Sequence, residues 1–346
     1  MSLNKFEKIR KTLYFNDNSK DLPRNNSEHD RIFKIRLVMN SLNEVYSKVT
    51  LEEHLCVDEQ MCSTKARNTL KRYNPNQPNK WGYKIFVLSD VSGLAYKTEI
   101  KTGKENVVLQ EEPDLGASSN VVTRLARIIP RHQNFQLCFD NYFTSRRLLE
   151  YLAKEGIHSL GTTVAWKDNK ILFLASTFAG QKPEADVRRW DKQKSKYATI
   201  KRPYVVGEYN RHMGGVDLID SIMGIYKIRL RSKRWQVRLF YHYLYFTMAN
   251  AWLLYKRVSK YKKLSASSIL SSADFRQEVA VTLCKMVTKS GMSGRRSLET
   301  DIQAKKRKGP AQYVPPMAVR QDQIGHWPQW SNKNEMQASK VRWIYV

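Results

Sequence analysis

Three aspartates each lie where an apolar run gives way to polar sequence. They are Asp58 in HLCVDEQM, Asp140 in FQLCFDNYFTS and Asp217 in MGGVDLID, and Asp220 follows the last by one helical turn. A carboxylate beside buried residues is costly unless it is paired, hydrogen-bonded or bound to a metal ion. Acids from distant parts of a chain that meet in the fold commonly hold Mg²⁺ over a phosphodiester. The pattern therefore indicates metal-dependent chemistry on phosphates.

Each of these acids also has a simpler interpretation. A single aspartate after a strand is more often a cap or turn residue, and Asp220 could be a first-turn helix acid that the helix dipole favours. Asp90 and Glu59 are rival acids. We expect Asp90 to belong to a turn in SDVSG. Glu59 should face away from Asp58, because side chains alternate along a strand.

The charge of the chain suits a polyanionic partner. Its 346 residues include 60 Lys and Arg against 32 Asp and Glu, which gives a formal net charge of +28. Such an excess favours nucleic acid, whose phosphates release counterions when cations bind, although a merely basic soluble protein has the same composition. With 41% hydrophobic residues, the chain has enough apolar sequence for a sizeable core.

The cysteines, the first residues of the chain and its long uncharged stretch exclude several classes of protein. The cysteines are Cys56, Cys62, Cys138 and Cys284. They form no CxxC pair, so they predict small core residues in a reducing compartment and neither a disulfide framework nor a zinc knuckle. The polar start MSLNKFEKIRK predicts no signal peptide. The long stretch from Leu239 to Tyr255 contains polar residues and many tyrosines, which favours a buried helix over a membrane span.

Periodicity places the acids on alternating strands and helices. Helices are predicted over residues 3–14, 29–48, 118–129, 145–154, 235–258 and 272–289. Strands are predicted over residues 54–60, 83–91, 94–102, 135–139 and 157–162. Three strands followed by alternating helices and strands predict an α/β fold, with a mixed sheet and helices on its faces. Residues 166–201 look irregular apart from the strand-like word ILFLAS at 171–176, and from Ser290 the composition predicts a tail or linker.

The ribonuclease H-like fold has this order of elements. Its metal-binding acids lie on the first strand, beside the fourth strand and on a later helix. In this chain Asp58 lies on the first predicted strand and Asp140 ends the fourth, while Asp217 and Asp220 open a helix that we expect to run towards Arg229. The three positions follow from separate segments of sequence, and they agree.

Several long, collinear sequence words resemble the piggyBac family of transposases and its domesticated relatives. These words are FDNYFTSRRLLEYLAKEGIHSLGTT, EYNRHMGGVDLIDSIMGIYKIRLRSKRW, NAWLLYK, VDEQM, NPNQPNKWGYKIFVLSDVSG and GHWPQW. The resemblance implies a ribonuclease H-like catalytic domain of the DDE/D transposase type, and cut-and-paste transposition with two Mg²⁺ or Mn²⁺ ions. It also implies that Asp58, Asp140, Asp217 and Asp220 are the catalytic acids, of which the first three are metal ligands.

The chain departs from the family pattern at four places. It starts inside the helical region, its insertion after GTT at 161–163 is short, TKAR at 64–67 replaces F-K-G-R, and no cysteine or histidine follows GHWPQW. We therefore expect the following organisation: a helical remnant of the dimerisation and DNA-binding region at 1–50, the first part of the core at 51–165, a shortened insertion at 166–205, the second part of the core at 206–290, and a basic tail without the zinc module at 291–346. No zinc is expected.

Basic residues around these motifs are the candidates for DNA contact. The candidates are Lys65, Arg67, Lys71, Arg72, Arg188, Arg189, Lys227, Arg229, Arg231, Lys233 and Arg234. Such cations could hold backbone phosphates without reading sequence, whereas the alternative is a solvated surface. The RRW word at 188–190 could also stack on and clamp a strand end or hairpin, although a packed Trp with flanking charges explains it equally well.

Four other side chains near these motifs are expected to be structural. Tyr142 and Phe143, which follow Asp140, suit the core better than a role in base stacking. His212 and His242 have no neighbours at metal-ligand spacing.

Two hypotheses about function follow. One is a metal-dependent DNA nuclease or strand transferase that acts on transposon ends or chromosomal DNA, and the intact acids favour it. The other is a domesticated, non-catalytic DNA-binding or regulatory remnant, which the missing zinc module favours. Neither involves a membrane, and the resemblance leaves homodimerisation open. The basic run from Lys305 to Lys308 suits nuclear import, so we expect a nuclear location.

Overall fold

A computed structural model describes most of the chain up to residue 288. It covers residues 2–75, 79–103, 109, 112–161, 166–167, 171–172, 175–191, 194–227 and 232–288. Residues Met1–Gln277 form one compact unit, and Glu278–Val346 form a second, of which 278–288 are described. The predicted basic tail at 291–346, with its Lys305–Lys308 run, lies outside the described residues, as do Arg229 and Arg231.

The chain opens with two helices, as the periodicity predicts. They are α1 (Leu3–Lys11) and α2 (Phe33–Ser47). The buried residues of α2 are Ile35, Met39 and Tyr46, whose spacing puts them on one face of the helix. The hydroxyl of Tyr46 lies 2.7 Å from that of Thr247. One face of α2 is thereby fixed to the body of the protein.

A mixed sheet forms the centre of the first unit. Its strands are β1 (His54–Ser63), β2 (Lys71–Tyr73), β3 (Trp81–Asp90), β4 (Ala95–Ile100), β5 (Gln136–Phe139), β6 (His158–Gly161) and, later in the chain, Ala175–Ser176. The order is β2-β3-β1-β5-β6 and then Ala175–Ser176, and β4 lies beside β3. The pairs β1–β5 and β5–β6 are parallel, while β1–β3 and β3–β4 are antiparallel. The predicted mixed sheet is confirmed.

The apolar runs of the sequence are the buried central strands. Leu55, Val57, Val87, Leu137 and Phe139 are each fully buried, as expected of strands that helices cover on both faces. The covering helices are α3 (Ala117–Ala126), α4 (Arg146–Lys154), α5 (Tyr204–His212), α6 (Gly215–Ile225) and α7 (Trp235–Tyr261). The last helix that the structure describes is α8 (Ser272–Thr288). These bounds lie within a few residues of the predicted ones where a helix was predicted.

The long uncharged stretch is part of α7, as expected for a buried helix. Its buried residues include Val237, Leu239, Tyr243, Phe246 and Ala249. Neither α7 nor any other helix in the ranges that the structure describes has the apolar length that a membrane crossing needs. The predicted burial of the cysteines is confirmed for Cys56, Cys62 and Cys138, and it is wrong for Cys284, which is exposed.

The secondary structure departs from the prediction in several places. The strand-like ILFLAS word does contain the short strands β8 (Ile171–Leu172) and β9 (Ala175–Ser176), but the rest of the region from 166 to 201 is more regular than predicted, with the short strand β7 (Trp166–Lys167) and the ribbon of β10 (Ala185–Asp191) and β11 (Lys196–Arg202). Charged residues dilute its alternation, which hid it. The short strand β2 and helix α5 were not predicted. Helix α6 ends at Ile225, well before Arg229.

Candidate functional site

The strand register brings Asp58 and Asp140 to neighbouring positions. In the parallel pair of β1 and β5, Cys56 lies opposite Cys138 and Val57 lies opposite Phe139. Asp58 and Asp140 each take the next position, where β5 leaves the sheet and β1 continues. Adjacent strands lie about 4.8 Å apart, so these two acids start from neighbouring points of the backbone. The apolar residues that bury both strands therefore fix this arrangement.

A tight turn forms as the chain leaves the sheet at Asp140. The carbonyl oxygen of Asp140 accepts a hydrogen bond from the Phe143 amide at 3.0 Å and another from the Thr144 hydroxyl at 3.1 Å. The Asn141 amide donates to the carboxylate of Asp140 at 2.6 Å. The FDNYFTS word is therefore the turn that holds Asp140 at the end of its strand.

Helix α6 carries the other two acids along the same face of β1. Its first backbone N–H groups, at Gly215 and Val216, donate to the thiol sulfur of Cys56. A Cβ atom at Gly215 would lie 2.9 Å from that sulfur and would overlap the Asp90 carbonyl oxygen, so the close approach needs glycine. Cys56, Asp58 and Gln60 share one face of β1, because strand side chains alternate. The helix therefore delivers Asp217 and Asp220 to the face that carries Asp58.

The electrostatics of Asp58 show that Asp140 and Asp217 act on it. Burial is the largest cause that raises the pKa of Asp58, a hydrogen bond from the Glu59 amide lowers it, and the carboxylates of Glu59, Asp140 and Asp217 add to the rise, so that the pKa is about 7. That hydrogen bond is 2.7 Å long. The side chain of Asp58 is thus half-buried, and its neighbours carry charges of the same sign.

These acids lack the cationic partners that other acids in the chain have. Glu99 pairs with Arg124, and Glu112 pairs with Arg127, each at 2.6 Å. In the part of the chain that the structure describes, Asp58, Asp140 and Asp217 form no ion pair with Lys or Arg. In a chain with an excess of 28 positive charges, their negative charge stands uncompensated.

Asp220 belongs to a buried hydrogen-bonded relay. The side-chain amide of Gln60 donates to Asp220, and the Gln60 carbonyl oxygen lies 2.7 Å from Nε2 of His242. An amide oxygen only accepts, so Nε2 of His242 carries the proton. Burial lowers the pKa of His242 to about 3, so the ring is neutral. Strand β1 and helix α7 thereby hold Asp220 in place.

The same surroundings act on the protonation of Asp220. Its pKa is raised to about 6, chiefly by burial and also by the charge of Asp217, while the Gln60 hydrogen bond and the charge of Lys227 act in the opposite direction. The protonation of Asp220 therefore depends both on Asp217, an acid of the set, and on Lys227, one of the cations predicted to contact DNA.

Tyr209 on helix α5 is a member of the site that the sequence analysis missed. Burial raises the pKa of its hydroxyl, and the carboxylates of Asp140 and Asp58 raise it further. The half-buried hydroxyl therefore stays protonated beside the acids and can donate a hydrogen bond. No spacing signal in the sequence marks Tyr209, because α5 itself was not predicted.

The rival acids have structural roles, as expected. Glu59 faces away from Asp58: it pairs with Lys84 at 3.4 Å and accepts a hydrogen bond from Asn74 at 3.0 Å. Asp90 closes the turn between β3 and β4. It accepts hydrogen bonds from the Ser92 hydroxyl at 2.6 Å and the Leu94 amide at 3.1 Å.

Three of the four side chains expected to be structural are packed in the protein. Phe143 is fully buried, and His242 lies in the relay described above. His212 stacks on His54, with 4.1 Å between the ring centroids. The expectation for Tyr142 was wrong, since its side chain is 45% exposed. The turn after Asp140 points this ring outward, where Lys84 lies 4.4 Å from the ring centroid.

The predicted DNA-contacting cations differ in how free they are. Among the described residues, Lys65, Arg67 and Lys233 have exposed side chains with no hydrogen bond or ion pair, and Lys227 is exposed while its charge acts on Asp220. Arg188 is exposed on β10, and its neighbour Arg189 is half-buried. Three others are engaged with the protein itself. Lys71 lies 4.6 Å from the Trp81 ring centroid, Arg72 donates to the Thr69 carbonyl at 2.8 Å, and Arg234 donates to the Lys11 carbonyl at 2.9 Å.

The acids fit a divalent cation as an open set. In the ranges that the structure describes, no three His, Cys, Asp or Glu side chains form a group compact enough to enclose an ion. Mg²⁺ seldom has such a cage, since it keeps several waters and takes one or two carboxylates together with substrate phosphates. The oxygen-only donors and the mutual repulsion at Asp58 suit this mode, and Asp58, Asp140 and Asp217 are the residues that would hold the ions.

Comparison with known proteins identifies the family of the chain. A family profile described as Transposase IS4 matches residues 1–163 and 162–252. The human PiggyBac transposable element-derived protein 3 is 26% identical over 292 residues, which are 74% of this chain and 48% of that protein. The human PiggyBac transposable element-derived protein 2 is 22% identical over 364 residues, which are 93% of this chain and 56% of that protein. The chain thus spans about half the length of these curated relatives.

A solved structure shares the fold. It is a cryo-EM structure of a piggyBac transposase synaptic complex with hairpin DNA, which matches with a TM-score of 0.68 and 19% identity over 91% of this chain and 69% of that one. The mixed α/β sheet is therefore the ribonuclease H-like fold of DDE transposases, as predicted.

Proposed function

The chain belongs to the Transposase IS4 family of piggyBac type, and on this premise we propose that it cleaves DNA and transfers DNA strands with divalent metal ions. The reaction centre of this proposal is the set of Asp58, Asp140, Asp217 and Asp220. Residues 51–165 and 206–290 would form the catalytic core around a shortened insertion at 166–205. The substrate would be transposon ends or chromosomal DNA, and the protein would act in the nucleus.

One observation carries the proposal: Asp58 lies half-buried near the carboxylates of Asp140 and Asp217, and in the part of the chain that the structure describes none of the three pairs with Lys or Arg. Burial and the charges of Asp140 and Asp217 together raise the pKa of Asp58 to about 7. Uncompensated carboxylates are unfavourable in the free protein, and perturbed groups of this kind concentrate at functional sites. A structural role would have recruited one of the 60 Lys and Arg residues as a partner.

The side chains of the set have distinct roles in this proposal. Asp58, Asp140 and Asp217 would bind the ions, and Asp220 would be held in position by Gln60. A bound divalent ion neutralises charge on phosphate oxygens and makes a bound water or 3′-hydroxyl a better nucleophile. The Tyr209 hydroxyl stays protonated and would donate a hydrogen bond to an oxygen of the scissile phosphate. Lys227, beside Asp220, would contact a neighbouring phosphate as a positioning cation.

The second candidate function is DNA binding without cleavage. The observation that favours it is the open arrangement of the acids, which among the described residues form no closed three-ligand group. In that case the exposed cations, such as Lys65 and Arg67, would retain their role, and the acids would have lost theirs.

Cleavage of hairpin or pre-nicked DNA in Mg²⁺ or Mn²⁺ separates the two candidates. We expect the wild-type chain to cut, and Asp140→Asn, which keeps the side-chain volume, to cut at least about 100-fold more slowly, because a metal-binding carboxylate is lost. The matched control is Asp17→Asn, at an exposed acid whose side chain contacts Ser19. Binding without cleavage by the wild type would establish the second candidate.

A further inference from the structure

The ribbon of β10 and β11 has two chemically different faces. Its register pairs Asp186 with Lys201, Arg188 with Thr199 and Trp190 with Tyr197. Side chains on alternate positions of a strand share a face, so these six residues lie on one face of the ribbon. We call this set the outward face, because each of its members is exposed.

The opposite face of the ribbon is the one that is partly covered. Its paired residues include Val187 with Ile200 and Arg189 with Ala198, and all four are half-buried. The two consecutive arginines of the RRW word therefore differ, because Arg188 belongs to the outward face and Arg189 does not. The aromatic residues of the outward face, Trp190 and Tyr197, therefore lie on the exposed side of the ribbon.

The outward face presents two aromatic rings and a guanidinium in contact with one another. The Trp190 and Tyr197 ring centroids lie 5.1 Å apart with 73° between the planes, and the Arg188 guanidinium lies 4.9 Å from the Tyr197 ring centroid. Yet Trp190 is 49% exposed and Tyr197 is 61% exposed. About half of each side chain thus stays accessible. Because the two exposed rings are in contact, they form one continuous apolar patch, and patches of this kind can mark a binding surface.

The charge of the ribbon identifies the class of partner. The segment from Ala185 to Arg202 contains seven Lys and Arg residues and two Asp residues. A partner that complements it must offer both negative charge and flat apolar rings. Unpaired nucleic acid offers both, because its phosphates are accompanied by bases with free faces. A continuous duplex offers the phosphates but keeps its base faces stacked inside.

We propose that the outward face of the β10–β11 ribbon binds unpaired nucleotides of a DNA strand, with bases stacked on Trp190 and Tyr197 and phosphates held by Arg188 and Lys201. The inference rests on the proposed function, since it supplies a site for the unpaired strand end or opened hairpin on which the acids act. It is a binding site and needs no metal ion.

The chain contains a second aromatic pair that serves as a matched control. Tyr73 on β2 and Trp81 on β3 lie 4.9 Å apart and are 52% and 51% exposed, and Lys71 lies near the Trp81 ring. This pair has the same chemistry as the ribbon pair and similar exposure, but it lies on the central sheet. Replacing both of its rings with Ala tests whether any exposed aromatic pair supports binding of the overhang.

The experiment measures binding of the full chain, in EDTA, to a duplex with a single-stranded overhang and to a blunt duplex of equal length. Fluorescence anisotropy gives the affinities, and 2-aminopurine in the overhang reports stacking. The double variant Trp190→Ala with Tyr197→Ala loses the stacking of one or two bases. We therefore expect it to bind the overhang roughly tenfold or more weakly, with loss of 2-aminopurine quenching. Blunt-duplex binding should change less than about threefold, because phosphate contacts remain.

Two comparison variants and a thermal melt keep the test decisive. Trp190→Phe with Tyr197→Phe retains the rings and should bind the overhang nearly as wild type does, and Tyr73→Ala with Trp81→Ala should do the same. An unchanged overhang affinity in the ribbon Ala variant, or an equal loss in the Tyr73 and Trp81 variant, overturns the ribbon assignment alone. Wild-type protein that binds neither DNA overturns the proposed function as well.

Discussion

Asp58 is the residue at which burial and like charge act together. Its pKa is raised to about 7, far above the ordinary value for a carboxyl group, because the side chain is half-buried and near other acids. Between the ordinary value and this raised one, the folded state binds more protons than the unfolded state. The free energy of unfolding should therefore fall as the pH rises from about 4 to about 7 in EDTA, and level off above that.

Asp58→Asn removes the carboxylate whose ionisation in the folded state destabilises the protein at neutral pH. We expect the variant to be more stable than wild type by roughly 1–3 kcal/mol near pH 8, with little difference near pH 4, because an amide carries no charge to bury. Urea unfolding in EDTA at several pH values measures the effect. In Asp17→Asn, at an exposed acid, the free energy of unfolding should change with pH as it does in the wild type. An Asp58→Asn variant that is less stable than wild type at pH 8 would count against an uncompensated acid set.

Gln60 is the residue that connects Asp220 to His242. Gln60→Ala leaves both groups buried without their hydrogen bonds, so we expect a loss of roughly 1–3 kcal/mol in the free energy of unfolding. Gln181→Ala, at an exposed glutamine, should change it by less than about 0.5 kcal/mol. Thermal and urea unfolding measure both. Equal stability of the Gln60 variant and wild type would contradict the relay.

Single residues also show how far the sequence could be read. Asp58 and Asp140 were recognisable because each follows an apolar run, and alternation along β1 would have put Gln60 on the face of Asp58. Tyr209 could not be found, because its proximity to the acids depends on how α5 packs. The exposure of Tyr142 depends on the direction of the turn after Asp140, which composition does not determine.

At the level of elements, the close packing of α6 on the sheet positions two of the acids. Gly215 lies against Cys56 and the Asp90 carbonyl, whereas Gly224, in the same helix, has open space where a Cβ atom would be. Gly215→Ala must push the helix away, so we expect a loss of roughly 2 kcal/mol or more together with weaker ion binding. Gly224→Ala should instead stabilise the protein by about 0.5–1 kcal/mol. Urea unfolding and Mn²⁺ titration of the two variants measure this contrast.

Elements with a strong hydrophobic pattern were the ones that the sequence predicted well. The central strands and α7 are long apolar runs, so their positions follow from burial alone. Helix α5 and the β10–β11 ribbon were missed for the opposite reason. The ribbon buries one face only partly and carries many charges, so its alternation is weak in the sequence and visible in the register.

For the whole molecule, the net charge of +28 dominates the approach to DNA. We expect the affinity for duplex DNA to fall steeply with salt, because each phosphate contact releases counterions. Lys65→Ala with Arg67→Ala should reduce the slope of log affinity against log salt by about 2, since two exposed cations are lost. Lys48→Ala, at a lysine paired with Glu44, should leave the slope unchanged. A flat salt response of the wild type would contradict phosphate contacts.

The proposed ion-binding centre depends on the whole fold, since three distant segments must supply its acids. Calorimetric titration of the full chain with Mn²⁺, without DNA and then with hairpin DNA, measures whether they do. We expect the wild type to bind Mn²⁺, more tightly with DNA, and the affinity to fall by at least about tenfold in each of Asp58→Asn, Asp140→Asn and Asp217→Asn. We expect no change in Asp17→Asn. Equal Mn²⁺ affinity in the wild type and all three variants would contradict the proposed centre.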